Sequence, residues 1–194
     1  MMRIITGKHK NRKILTALKG NNAKNFRPST EKTREAIFNI INSATFEIEN
    51  FMKSANVLDL FCGSGALGLE ALSRGAKFVT FIDKEPSHIA ISKQNVENFN
   101  ELTNSEFIVC DATKLKSNYK KYNLILLDPP YNIPNIITSS LKALEEGNWI
   151  DNQNFIIIEH AKRDKFVLSP EYEILSSKVY GSSALTICRF LGHK

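Results

Sequence analysis

From Asn56 onward, short apolar runs alternate with stretches in which apolar residues recur at helical spacing. Val57 to Leu60, Phe78 to Ile82, Glu106 to Val109, Leu124 to Leu127 and Phe155 to Glu159 have the length and character of buried strands. Between them, Leu67 to Leu72, Pro86 to Phe99 and Asn135 to Glu145 predict helices. Strand–helix alternation of this kind implies right-handed crossovers and a parallel sheet covered on both faces. Tyr172 to Val179 and Ala184 to Phe190 are strand-like and separated only by Tyr180 to Ser183, so they must pair antiparallel. The sum is an α/β fold with a doubly wound, seven-stranded, mostly parallel sheet. Upstream, Arg3 to Thr6 and Lys13 to Ala17 predict a small β-hairpin, and Gly20 to Asn25 a polar loop. Pro28-Ser29-Thr30 then opens a helix with Ala36, Ile37, Ile40 and Ile41 on its apolar side. Residues 1–26 are thus expected as a basic hairpin extension and 27–194 as the main domain.

Charge adds a partner to this picture. Residues 1–35 hold ten basic side chains against two acids, a net +8 within a chain whose total is +6. An excess confined to one segment fits a polyanion contact surface, with a solvated lysine-rich face as the plainer reading. No apolar run is long enough to cross a bilayer, and the first residues lack the pattern of a signal peptide, so a cytoplasmic location is expected. Cys62, Cys110 and Cys188 are widely spaced and form no metal-binding pattern; free thiols and no metal are expected.

Two motifs carry candidate chemistry. Asp59-Leu60-Phe61-Cys62-Gly63-Ser64-Gly65-Ala66-Leu67-Gly68 joins the first strand to a helix and contains G-x-G-x-x-G. Glycines there permit a tight turn and close approach of backbone to a ligand. Asp83 follows the second strand, where a carboxylate can accept from both hydroxyls of a ribose. Asp111 follows the third, where it can accept from an adenine amino group or cap the next turn. Asp59 is either a ligand or the acid that fixes the loop. A nicotinamide-dinucleotide site would share these features.

The second motif, Asp128-Pro129-Pro130-Tyr131, follows the fourth strand and has no role in a dinucleotide oxidoreductase. An amino group conjugated to a base ring is a poor nucleophile, because its lone pair is delocalised. It needs acceptors for its two hydrogens, and Asp128 with a carbonyl of the Pro-Pro segment can supply them. Prolines hold those carbonyls in place, and Tyr131 offers a face for an extruded base. The chemistry expected is methylation of an exocyclic amine by positioning and electrostatics.

On these residues the chain resembles the class I S-adenosylmethionine (SAM)-dependent methyltransferases. Within them it resembles the RsmD family of 16S rRNA (guanine-N2)-methyltransferases. The resemblance spans nearly the whole chain: Met2 to Gly7, Arg27 to Asn39, Leu58 to Ala76, Asp128 to Tyr131, and Glu159-His160 with Tyr180-Gly181. It departs at Asn11-Arg12, where Gly-Arg is common. It implies SAM held by Asp59, Phe61, Gly63, Ser64, Gly65, Gly68, Asp83, Asp111 and Ala112, and catalysis at Asp128, Pro129, Pro130 and Tyr131. It also implies that the hairpin and Arg27 to Arg34 meet RNA or close over the donor; 16S rRNA, within a small-subunit particle, is expected at Arg3, Lys8, Lys10, Arg12, Lys13, Arg27 and Arg34, and a basic one-domain enzyme on so large a particle is expected to work as a monomer. Asp-Pro-Pro-Tyr is shared with adenine-N6 methyltransferases, which remain an alternative on RNA or DNA. A nonenzymatic RNA-binding factor is the further alternative. His160 is expected as a hydrogen-bonded structural residue and Trp149 as a packing residue.

Overall fold

The computed structural model describes residues 2–16, 31–44, 50–131, 133–164 and 166–192. Among these residues five α-helices, α1 (Glu31–Ala44), α2 (Phe51–Ser54), α3 (Ala66–Ser73), α4 (Pro86–Asn98) and α5 (Ile136–Glu146), surround one sheet. Its strands are β1 (Asn56–Leu60), β2 (Phe78–Asp83), β3 (Ser105–Val109), β4 (Tyr122–Leu127), β5 (Ile150–Ala161), β6 (Tyr172–Tyr180) and β7 (Ser183–Phe190). They lie in the order β3-β2-β1-β4-β5-β7-β6. β1 to β5 are parallel. β7 runs antiparallel between β5 and β6. The seven-stranded doubly wound sheet expected from the pattern is the one observed.

The continuous apolar runs are explained by burial on both faces. Along β4, Leu124 and Leu126 join one core with α1, α3 and Phe81, while Ile125 and Leu127 join the other with α5 and Trp149. Trp149 is a packing residue: it stacks on Tyr122 with ring centroids 5.7 Å apart, and its indole N–H donates to the Lys116 carbonyl at 2.8 Å. β5 is longer than its apolar run. An irregularity between Tyr122 and Leu124 lets the strand begin at Ile150. Asn154 ties that extension to β7 through the N–H and carbonyl of Phe190.

The N-terminal arm forms a minimal hairpin, an isolated antiparallel bridge of Arg3 with Lys13 rather than two full strands. Ile4 and Ile14 donate across it to Arg12 and Met2. It goes no further because the next donors turn to α3. Ile5 and Thr6 N–H groups go to the Glu70 carboxylate, and Lys8 N–H goes to the Ser73 carbonyl. Met2, Ile4 and Ile14 are buried in the same core as α1 and α3. The loop expected at Gly20 to Asn25, the start signal Pro28-Ser29-Thr30 and Arg27 lie outside the described residues.

Candidate active site

The motifs converge because each follows a strand at the carboxyl edge of one sheet. β1 and β4 are neighbours, with Leu60 opposite Leu127. The glycine turn and the Asp128 loop therefore leave the sheet about 5 Å apart, the spacing of paired strands. On the far side of β1, Leu60 pairs with Ile82 and Asp83 with Val109, which brings Asp83 and then Asp111 to the same edge. Beyond β4, Leu127 pairs with Ile158, which places Glu159 next in line.

Backbone strain and close packing shape the glycine turn. Phe61, Gly63 and Gly65 have φ of 61°, 53° and 76°. A Cβ on Gly68 would sit 2.3 Å from the Phe81 ring, so only glycine lets α3 lie this close to β2. Asp59, 1% exposed, accepts the Gly68 N–H at 2.9 Å. This is the loop-fixing geometry. Asp83 accepts the Gly63 N–H through Oδ2 and the Glu85 N–H through Oδ1, both at 3.0 Å, and His88 Nδ1 lies 3.2 Å from Oδ2. Asp111 accepts from the N–H and hydroxyl of Thr113, capping the turn Ala112–Lys114, and these bonds hold its carboxyl below the usual range. The Ser64 hydroxyl is buried with no hydrogen-bond partner among the described residues. An unpaired buried donor, two carboxylates at the ends of β2 and β3, and the glycine turn beside them form a set that could hold the adenosine and sulfonium parts of SAM.

Burial pushes the Asp59 carboxyl up to about 7, with the Gly68 N–H opposing and the Asp83 charge adding to the rise. Its unfolded value is near 3.9. Between about pH 4 and 7 the folded chain therefore keeps a proton that the unfolded chain has released. This group favours folding below that window, and the contribution is lost as pH rises through 7. In Asp59→Asn the amide oxygen still accepts from Gly68 but nothing titrates. Wild type is expected to lose stability relative to the variant from about pH 4 to 7 in urea unfolding. Parallel pH profiles would contradict it.

On the other side of the turn, Asp128 is half-buried, Pro129 buried and Pro130 exposed. The Tyr131 hydroxyl donates to Glu159 Oε1 at 3.1 Å. Burial first, then the charge of Glu159, pushes the phenol up to about 12, so it stays a neutral donor. Glu159 is only 5% exposed, and although the sequence marks it as a strand end and as part of the resemblance, nothing local foretells its bond to Tyr131. His160 is buried, with its ring nitrogens 3.0 Å from the Ala161 carbonyl and 3.1 Å from Thr186 Oγ1, the structural arrangement expected of it.

The basic residues separate into three groups. Arg3, Lys10 and Lys13 are exposed. Lys8 and Arg12 are exposed but engaged: Lys8 pairs with Glu101 at 2.7 Å, and Arg12 lies over Phe99 and donates to the Asn98 carbonyl. Arg34, expected to meet RNA, is fully buried and donates to the Arg3 carbonyl at 2.7 Å. That expectation is corrected: a guanidinium committed to the core cannot reach a phosphate. A groove of about 660 Å³ between α1 and the β6–β7 hairpin adds Lys32, Lys178 and Arg189 and shares none of the motif residues. Among the described residues no cluster of acids, histidines and cysteines could hold a metal, and no helix is long and apolar enough to cross a membrane.

This sheet order, with its antiparallel seventh strand, is the class I SAM-dependent methyltransferase fold. A family model described as conserved hypothetical protein 95 matches residues 2–189, and the chain belongs to that family of methyltransferases. It is similar to the uncharacterized methylase RP545 of Rickettsia prowazekii, 33% identical over an alignment that covers 100% of this chain and 99% of that protein. It is also similar to ribosomal RNA small subunit methyltransferase D of Buchnera aphidicola, 32% identical over 91% of this chain and 86% of the relative. The solved structure of Escherichia coli yhhF superposes with a TM-score of 0.80 at 25% identity over 99% of both chains. The RsmD resemblance drawn from the motifs holds at the level of the family.

Proposed function

We propose that this enzyme transfers a methyl group from SAM to the exocyclic N2 of a guanine in small-subunit (16S) ribosomal RNA. The observation that carries the reading is the adjacency of two loops: the glycine turn after β1 and Asp128 to Tyr131 after β4. SAM, when bound, supplies an electrophilic methyl group on a sulfonium. Gly63 to Gly68, Asp83 and Asp111 hold it in this reading, with Phe61 and Ala112 alongside and Asp59 fixing the turn. Asp128 and a carbonyl of Pro129 or Pro130 accept the two amine hydrogens, which localises the nitrogen lone pair and aims it across the short gap between the loops. Once methylated, the nitrogen would carry a positive charge and be acidic, and Asp128 is the residue that would take its proton.

Support for RNA comes from relatives named ribosomal RNA small subunit methyltransferase D and from the charge of the arm. Residues 1–26 act in this reading as an RNA-facing extension of the catalytic domain, with Arg3, Lys10 and Lys13 as its free-standing contacts and Lys8 and Arg12 at its tip. Mapping methyl groups by mass spectrometry in ribosomal RNA, from cells with and without the protein, tests it. Loss of one N2-methylguanine from the small-subunit RNA is expected. Loss of an N6-methyladenine instead, or no change in either, would sink the proposal.

A further inference from the structure

Asp-Pro-Pro-Tyr handles an amine and is blind to which base carries it. The bases differ one atom further along. Guanine presents N1–H beside its N2 amine, a row of donors, whereas adenine presents a bare N1 lone pair beside its N6 amine. A pocket for guanine therefore needs two neighbouring acceptors, and one for adenine needs an acceptor beside a donor.

The site has a second acid beside Asp128. Glu159 lies in β5 beside the point where Asp128 leaves β4, since Leu127 and Ile158 are opposite each other. Alternation puts both on one face. Leu126 and Ile157 lie in the core shared with α1 and α3, while Leu127 and Ile158 lie in the other. His160, the next residue, bonds Thr186 and meets Phe166, a side chain of that other core, so it does not compete for this place. Tyr131, in the target loop, reaches Glu159 Oε1 at 3.1 Å. The charges of both Glu159 and Asp128 bear on its hydroxyl. A carboxylate has about four lone-pair positions, and the tyrosine bond takes one of them.

We infer that Glu159 is the residue that makes this pocket read guanine: its carboxylate accepts the N1–H while Asp128 accepts from the N2 amine, and Tyr131 sets its position. The inference rests on the proposed guanine-N2 reading and sharpens it. A bare N1, as in adenine or 2-aminopurine, would put lone pair against lone pair at Glu159.

The test uses RNA with the target guanine replaced by 2-aminopurine, which keeps the reacting amine at C2 but has no hydrogen on N1. Wild type is expected to favour guanine by roughly 10²-fold or more in kcat/KM. In Glu159→Gln the amide can turn its NH2 toward N1. The guanine rate should then fall by about 10²-fold while 2-aminopurine stays within a few-fold, so the preference collapses. Tyr131→Phe should slow both substrates and keep the preference. If Glu159→Gln also slows both equally, Glu159 only anchors Tyr131 and the inference is overturned. Should Glu159→Gln not fold, judged by melting and calorimetric SAM binding, Glu159→Asp is read by the same ratio, with the same collapse expected through loss of reach. A wild-type enzyme that methylates adenine and no guanine would defeat the underlying reading. Guanine methylation with an unmoved ratio would defeat Glu159 alone.

Discussion

Methyl transfer by Asp128→Ala is expected to fall by roughly 10²–10³-fold in kcat, with SAM and RNA affinities within a few-fold of wild type. The size follows from what the residue does in the proposed reaction. An aromatic amine becomes nucleophilic only as its lone pair leaves the ring, and acceptors on its hydrogens favour that state. This interaction strengthens as the nitrogen gains charge, so its loss is felt in the transition state more than in binding. A deficit of 10²–10³ corresponds to about 2.7–4 kcal/mol, the range measured for removing one preorganised polar group from a reacting centre. Asp128→Asn keeps one acceptor oxygen without the charge and should fall between the two. Single-turnover rates with saturating RNA separate chemistry from binding. An alanine variant with an unchanged rate would remove Asp128 from the reaction, and affinity lost in step with rate would make it a binding residue.

Asp128 was visible in the sequence for the reason that much of the fold was. β1, β2 and β4 are buried on both faces, so their runs are mostly apolar, and a polar residue at the end of such a run marks the exit from the sheet. In a parallel sheet those exits share one edge. A list of strand-ending acids is therefore already a rough map of the site. What stayed hidden were acids whose role depends on partners distant in sequence. Glu159 is 28 residues from Tyr131, and Glu101 is 92 residues from His9, whose Nε2 it meets at 2.5 Å. Arg34 shows the converse error. Counting charge along a segment says where cations are dense, yet this one lies on the face of α1 that packs inward, and sequence density carries no information on that. Glu70 looked like one letter of a helix in a family signature, although it is fully buried and holds the arm.

Glu70→Ala is expected to cost about 3–5 kcal/mol of folding stability, the range for breaking a buried ionic network from one side. The carboxylate is 0% exposed. It accepts from the Ile5 N–H at 2.9 Å, the Thr6 N–H at 3.0 Å and Arg74 Nε at 2.9 Å. Burial pushes the Arg34 guanidinium down from its ordinary value, and the Glu70 charge is the main influence opposing that. Alanine would leave the part-buried N–H groups of Ile5 and Thr6 without this acceptor and the buried Arg34 guanidinium without this neighbouring charge, and such losses cost on the order of 1–3 kcal/mol each. Arg74 is less affected, because it also lies over the Phe38 ring, 4.5 Å from the centroid. Glu70→Gln keeps one acceptor oxygen and should cost less than alanine. Urea unfolding followed by far-UV circular dichroism measures both. The arm is held to α3 by this carboxylate together with Ser73, so Arg3, Lys10 and Lys13 lose part of their common platform when Glu70 goes. RNA affinity of Glu70→Ala should then fall even where the protein remains folded, while SAM still binds. A loss of stability below about 1 kcal/mol would mean that the arm carries its own support and Glu70 merely fills space, since only surface-like sites give changes that small.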